Sequence, residues 1–378
     1  MGGTPRGGAA SGGRAARRGP GGEKKLYWYT TFGEVSVVEQ LFWQEGHVSR
    51  PFCRTAGVSC RGYSQPLQRR LTDFGADMAF GQVPAKLQEH YGIEVPVSAV
   101  RTITEAQARH IHAQAPGPLP FPAQEVAWVI VETDGSMIPI VDTARPETRV
   151  PGEDRRKTRQ VRWQEARLSL AHAHGSVTPR FAATFGAPEV VGEQLRDCAF
   201  RVGFGPTSRV HSVGDGAPWI ADQVHRVFGP QGTYLVDFYH LSEYLAAAAP
   251  RCAPEMPAQW LAQQQSQLKQ GDVAGVQAGL VPYLEAPEVA DKAAPVRCCH
   301  RYLTNRPGQF DYQRALAAQL PIGSGEIESA HRYVIQQRLK LAGAWWKEET
   351  AADMLALRTL RANGEWNQYW TPLEQIAA

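Results

Sequence analysis

Residues 208–240, SRVHSVGDGAPWIADQVHRVFGPQGTYLVDFYH, hold an apolar strand ending in the acid Asp215, a helix from Pro218 to Phe228, and a second short strand, TYLVDFYH. Upstream, EVAWVIVETD (125–134) reads as a buried strand that also ends in an acid. GSMIPIVD reads as a second strand after a tight turn, and EARLSLAHAHG (165–175) as a third with alternating character. A helical stretch near 187–200 separates these strands from the later ones. Strands in sequence, followed by strands alternating with helices, predict an α/β fold: a mixed sheet flanked by helices.

Outward from that core, 241–320 is rich in Ala, Gln and Leu with few strand formers, and reads as a helical block closing at PIGSGEIES (321–329). An amphipathic helix then runs to about Leu341. A last helix, Glu349 to Ala362, ends at Asn363-Gly364 before a Trp-rich tail. Towards the N-terminus, Leu67, Leu71, Phe74, Leu87 and Tyr91 recur at helical spacings, and Pro84 suits the opening of a helix. EHYGIEVPVSAVRTI (89–103) reads as helix, a turn centred on Gly92, and a second helix from near Ser98. This is a helix-turn-helix candidate with Arg101 where base or phosphate contacts are made. Four prolines in 115–122 mark a linker, and 1–25 has almost nothing to bury, the composition of a disordered tail.

The 378 residues and 43% apolar content suffice for a full-sized core in two or three domains. The net charge is +3, yet 1–25 alone carries +5 and the remainder −2, which excludes a uniformly basic mode of holding nucleic acid. No apolar run approaches the roughly 18 residues needed to span a bilayer. Arg17-Arg18 is not followed by the apolar segment of an export signal, so a cytoplasmic protein is expected. The six cysteines form no CxxC pair, and adjacent Cys298 and Cys299 cannot easily share one tetrahedral metal. His172 and His174 share one side of a strand but lack a third zinc ligand at suitable spacing. There is no GxSxG, Walker or HExxH sequence.

Asp134 and Asp215 each end an apolar strand and each precede a glycine. Carboxyl ends of strands are where α/β sites form, and two such acids with a third from a helix can hold two divalent ions for phosphoryl transfer. Oxygen ligands favour magnesium or manganese. The helix starting at Gly325 offers Glu326 and Glu328, which flank its apolar face on opposite sides. Glu328 shares its side with Ile335 and Leu339, and Glu326 with Tyr333 and Gln337, so helical geometry leans only slightly to Glu328. Both acids also suit the positive end of the helix dipole.

VETDGSMIPIV, VHSVGDGAPWI, YLVDFYHLSEYLAAAA, PIGSGEIESAHRYVIQQRLKLAGAWW and LRTLRANGEWNQYW, in this order, closely resemble the ISKra-type bacterial insertion-sequence transposases, related to the Mutator-like group. The resemblance runs from about Pro51 to the end. It implies an RNase H-like core with a DDE metal triad, Asp134, Asp215 and Glu328, holding two magnesium ions, with manganese as a substitute. Asp237 and His240 match a supporting pair in the related group. The implied divisions are a tail (1–25), a helical DNA-binding region (26–120), a first part of the catalytic core (121–240), an all-helical insertion (241–320) and a second part with the Glu helix (321–378). The implied activity is magnesium-dependent cleavage at transposon ends and strand transfer into target double-stranded DNA, by a homodimer at the bacterial nucleoid. Expected DNA contacts are Arg101, the run Arg155, Arg156 and Lys157, the basic residues Arg332, Arg338 and Lys340 along the Glu helix, and Trp346 as a stacking platform. The competing readings are a catalytically silent DNA-binding protein and an RNase H-like nuclease without strand transfer.

Overall fold

The computed structural model describes residues 19–44, 47–56, 62–114, 124–142 and 159–377, in two compact units. The expected linker 115–122 and the basic run Arg155, Arg156 and Lys157 lie outside the described residues.

The first unit holds the described residues within 1–75, 80–104 and 367–377. Strands β1 (Gly19–Thr30), β2 (Gly33–Gln44) and β3 (His47–Ser49) form an antiparallel sheet in that order. This corrects the expectation of a helical region from residue 26 and of a tail reaching residue 25. GEVSVVEQLFW is rich in β-branched and aromatic residues, and the β1–β2 turn is closed by Thr30, whose hydroxyl donates to the Gly33 carbonyl at 2.9 Å. Gly33 adopts a φ of 105°, which favours glycine. Helices α1 (Pro51–Thr55), α2 (Gln65–Asp77), α3 (Val83–Tyr91) and α4 (Val97–Ala113) follow. Pro84 stands in the first turn of α3, and Gly92, left-handed at φ 64°, ends it. The expected helix pair around Gly92 is therefore present. Helix α2 meets α4 so closely that a Cβ at Gly75 would stand 2.3 Å from Thr104 Oγ1.

The second unit comprises 76–79 and 105–366. Its sheet contains β4 (Trp128–Asp142), β5 (Gln160–Ala173), β6 (Arg180–Thr184), β7 (Arg209–Gly214) and β8 (Gly232–Val236), in the order β6-β5-β4-β7-β8. The first three strands pair antiparallel, while β4, β7 and β8 are parallel. Parallel neighbours need crossovers, supplied by α5 (Pro188–Arg201) before β7 and α6 (Pro218–Phe228) before β8. The mixed α/β expectation holds. The turn expected at Asp134-Gly135 does not: β4 runs through both residues, paired with β5 from Val129↔Ala173 to Asp142↔Gln160. Gly135 serves close approach instead, since a Cβ there would stand 2.2 Å from Glu165 Oε1. Strand β6 is not foreseen from the sequence.

Side chains alternate across β4, so its two faces have different partners. Val129 and Val131 pack in a core with Leu195 of α5 and Val224 of α6. Ile130 packs on the other face with a helical block made of α7 (Phe238–Cys252), α8 (Pro257–Lys269), α9 (Val273–Leu280), α10 (Pro295–Thr304) and α11 (Tyr312–Ala317). The block stands where composition predicts it. Then come α12 (Gly325–Ala330), a π-helical turn at His331–Gln336, α13 (Gln337–Leu339), α14 (Glu348–Ala362) and α15 (Trp366–Ala377). Residues 367–378 cluster with the first unit, not with the second part of the expected core, and Trp370 is fully buried. Among the described residues no helix is long and apolar enough to cross a membrane.

Candidate active site

Strands β4 and β7 pair from Trp128↔Arg209 to Glu132↔Val213. Asp134 lies on the face of β4 that bears Ile130, and carrying that offset two residues further brings it near Asp215, just past the end of β7, whose charge acts on it. Asp134 Oδ1 accepts the Gly135 N–H at 2.7 Å, and Asp215 Oδ1 accepts the Ala217 N–H at 2.8 Å. Burial pushes the Asp134 carboxyl above its ordinary value, and the charges of Asp215 and Glu165 add to this; the Gly135 N–H and His240 oppose it. A bound cation relieves such repulsion between neighbouring like charges.

A third acid on the same face of β4 escapes the sequence reading. Glu132 is 1% exposed and accepts the Ile327 N–H of α12 at 2.8 Å. Burial, aided by the charges of Glu326, Asp237 and Glu328, pushes it up to about 8. The available signal was its place two residues before Asp134 in an otherwise apolar run, which puts both on one face. The carboxyl is neutral near pH 7. Its contribution to stability is complete below its ordinary value of 4.5 and is lost as pH rises through about 8. Glu132→Gln keeps an acceptor for Ile327, so the fall in melting temperature between about pH 5 and about pH 8 becomes shallower than in wild type. Identical slopes in circular-dichroism melts would contradict a neutral buried carboxyl.

Helix α12 separates the two candidate glutamates. Glu326 Oε2 stands 3.2 Å from His172 Nε2 on β5. His331 Nε2 stands 3.7 Å from Asp134 Oδ2, and its ring is 2% exposed with neither nitrogen hydrogen-bonded among the described residues. Burial pushes this imidazole down to about 4, so it is neutral. At 100° per residue Glu328 lies about 60° round the helix from His331, and Glu326 about 140°. By helical angle, Glu328 is thus the glutamate nearer the His331 side of α12. It is exposed. Among the described residues no three carboxylate, imidazole or thiol groups converge as one set of metal ligands. His172 and His174 are separately engaged, His172 Nδ1 with the Ala173 carbonyl and His174 Nε2 with that of Gln319.

Asp237 is 3% exposed and wholly occupied. Its Oδ1 accepts the N–H groups of Tyr239 and His240, capping α7, and its Oδ2 accepts the Ser324 N–H at 2.6 Å and hydroxyl at 2.5 Å. It ties the GSG loop to the end of β8. His240, beside the rings of Tyr244 and Tyr302, faces Asp134 electrostatically.

Two expected DNA contacts are core residues. Arg338 is 2% exposed, with its guanidinium 4.7 Å over the Trp346 ring. Trp346 is 5% exposed; its Nε1–H donates to the Leu339 carbonyl at 3.1 Å and its backbone pairs with the end of β4. Arg338 is turned inward, where the aromatic face of Trp346 attracts its guanidinium. Trp346→Phe leaves a smaller ring beneath Arg338 and loses one buried hydrogen bond, so cavity and hydrogen-bond losses together lower unfolding free energy by about 2 kcal/mol in urea titrations. Arg101, Arg332 and Lys340 are exposed, as is Trp345, whose ring lies 5.7 Å from the Arg159 guanidinium.

No curated protein matches the chain. Residues 203–370, which carry Asp215, Asp237, His240 and Glu328 but not Asp134, match an uncharacterised protein family, UPF0236.

Proposed function

We propose that this protein is a DDE-type transposase with an RNase H-like core, akin to the ISKra group, which nicks double-stranded DNA at transposon ends and joins the freed 3′-hydroxyl to target DNA. The observation that carries this reading is the register of Asp134 beside Asp215, with α12 and Glu328 across the same face of the sheet. Two features add support. Three antiparallel strands followed by two parallel ones joined through helices suit an RNase H-like core. The helical block between Asp237 and the GSG loop suits an insertion separating the second aspartate from the glutamate.

The donors fit magnesium or manganese: two oxygen-ligand carboxylates, Asp134 within β4 and Asp215 just past the end of β7, with neutral His331 bringing no competing cation. Asp134 and Asp215 would hold the ions, with Glu328 as the third carboxylate; bound, two such ions activate the attacking oxygen and stabilise the leaving one. The chain itself aims the carboxylates. The Gly135 and Ala217 N–H groups each hold one oxygen of an aspartate and leave the other to bind. Exposed Arg101, Arg332 and Lys340 are the proposed phosphate contacts, and a homodimer would bridge two ends.

Incubating the purified protein with the ends of its own element and magnesium tests the reading. Site-specific nicking with strand transfer supports it. Nicking without joining favours a nuclease, and binding without nicking a silent DNA-binding protein.

A further inference from the structure

The turn that carries Asp215 is held from outside the sheet. Tyr302 of α10 donates its hydroxyl to the Asp215 carbonyl at 2.6 Å. One turn on, Arg306 Nε donates to the Gly216 carbonyl at 2.6 Å and its Nη1 to the Tyr302 carbonyl at 2.9 Å, with the guanidinium 3.8 Å over the Tyr302 ring. From the sheet side, the Gly216 N–H donates to the Tyr234 hydroxyl of β8 at 2.9 Å. Gly216 has a φ of 84°, and a Cβ there would stand 2.5 Å from Arg306 Nε and 2.6 Å from the Tyr302 hydroxyl. Three of the four backbone polar groups of Asp215 and Gly216 are thus held by side chains, while Asp215 itself is exposed.

We propose that Tyr302 and Arg306 are positioning residues that strap the Asp215–Gly216 turn in its metal-binding orientation, so that the helical block sets the affinity of a carboxylate it does not contribute. A buried core needs neither group for this: Tyr302 already stacks on Tyr244 at 4.4 Å, and Phe would stack as well. Donors that hold a ligand's own backbone act like the outer partners of metal-ligating side chains, whose loss costs about 10–100-fold in metal affinity. The inference rests on the metal-site reading above.

The test uses the full chain without DNA. Manganese binding by titration calorimetry and hydrogen exchange of peptides covering Gly214–Ala217 are compared for wild type, Tyr302→Phe, Arg306→Lys and Asp215→Asn. Wild type binds manganese and Asp215→Asn loses it. Tyr302→Phe and Arg306→Lys bind about tenfold more weakly, exchange faster at this turn alone, and melt within a few degrees of wild type. Wild-type affinity in both variants overturns the strap and leaves the metal site standing. If wild type and Asp215→Asn bind alike, the metal site fails and the strap fails with it. Unchanged exchange at the turn overturns the strap whatever the metal data.

Discussion

Asp134→Asn, Asp215→Asn and Glu328→Gln each lower magnesium-dependent cleavage of transposon-end DNA by about a thousandfold or more, the scale set by groups that act as one unit. Glu326→Gln retains most activity. The contrast follows from the geometry. The Asp215 charge acts directly on Asp134, and each is one of the three carboxylates proposed to hold the ions, so neutralising either removes a ligand and its negative charge. By helical angle Glu328 lies on the His331 side of α12, whereas Glu326 is turned to His172 at 3.2 Å. Asparagine and glutamine preserve shape, so binding of the same DNA without magnesium stays near wild type and separates lost chemistry from lost folding. An inactive Glu326→Gln beside an active Glu328→Gln would overturn the assignment of the glutamate.

Asp237→Ala lowers unfolding free energy by about 3 kcal/mol, the sum expected for losing a helix cap and leaving buried donors unpaired. Four donors converge on this carboxylate, two from the first turn of α7 and two from Ser324, and water has little access at 3% exposure. Asp237→Asn keeps an oxygen for the cap but turns an amide towards the Ser324 N–H, so its loss is about half as large, near 1–2 kcal/mol. Urea unfolding followed by circular dichroism measures both. Equal stability of wild type and Asp237→Ala would contradict this clamp, whereas the expected loss makes Asp237 the group that sets the GSG loop against β8.

Periodicity made much of the second unit legible. The strands around Val129, Val210 and Leu235, the helix from Pro218, the helical block and the Asn363-Gly364 helix end all follow from local pattern, because each buries one face or stripe of its own sequence. The break expected at Gly135 did not follow. A glycine can mean a turn or a close neighbour, and only the presence of Glu165 beside it distinguishes the two. The N-terminal ribbon was hidden for the opposite reason: its first residues are Gly, Glu and Lys, and their strand state comes from pairing with β2.

At the candidate site, sequence alone singled out the two aspartates, since each follows a recognisable apolar run. Between the glutamates it offered only a slight lean, because two residues on a short helix differ in meaning through what each faces. Tertiary structure set Glu326 against His172, buried Glu132 behind Asp134, committed Asp237 to Ser324, and folded Arg338 and Trp346 together in the core. A residue's type and local period are written in the chain, but its burial, partners and charge state are properties of segments tens to hundreds of residues apart.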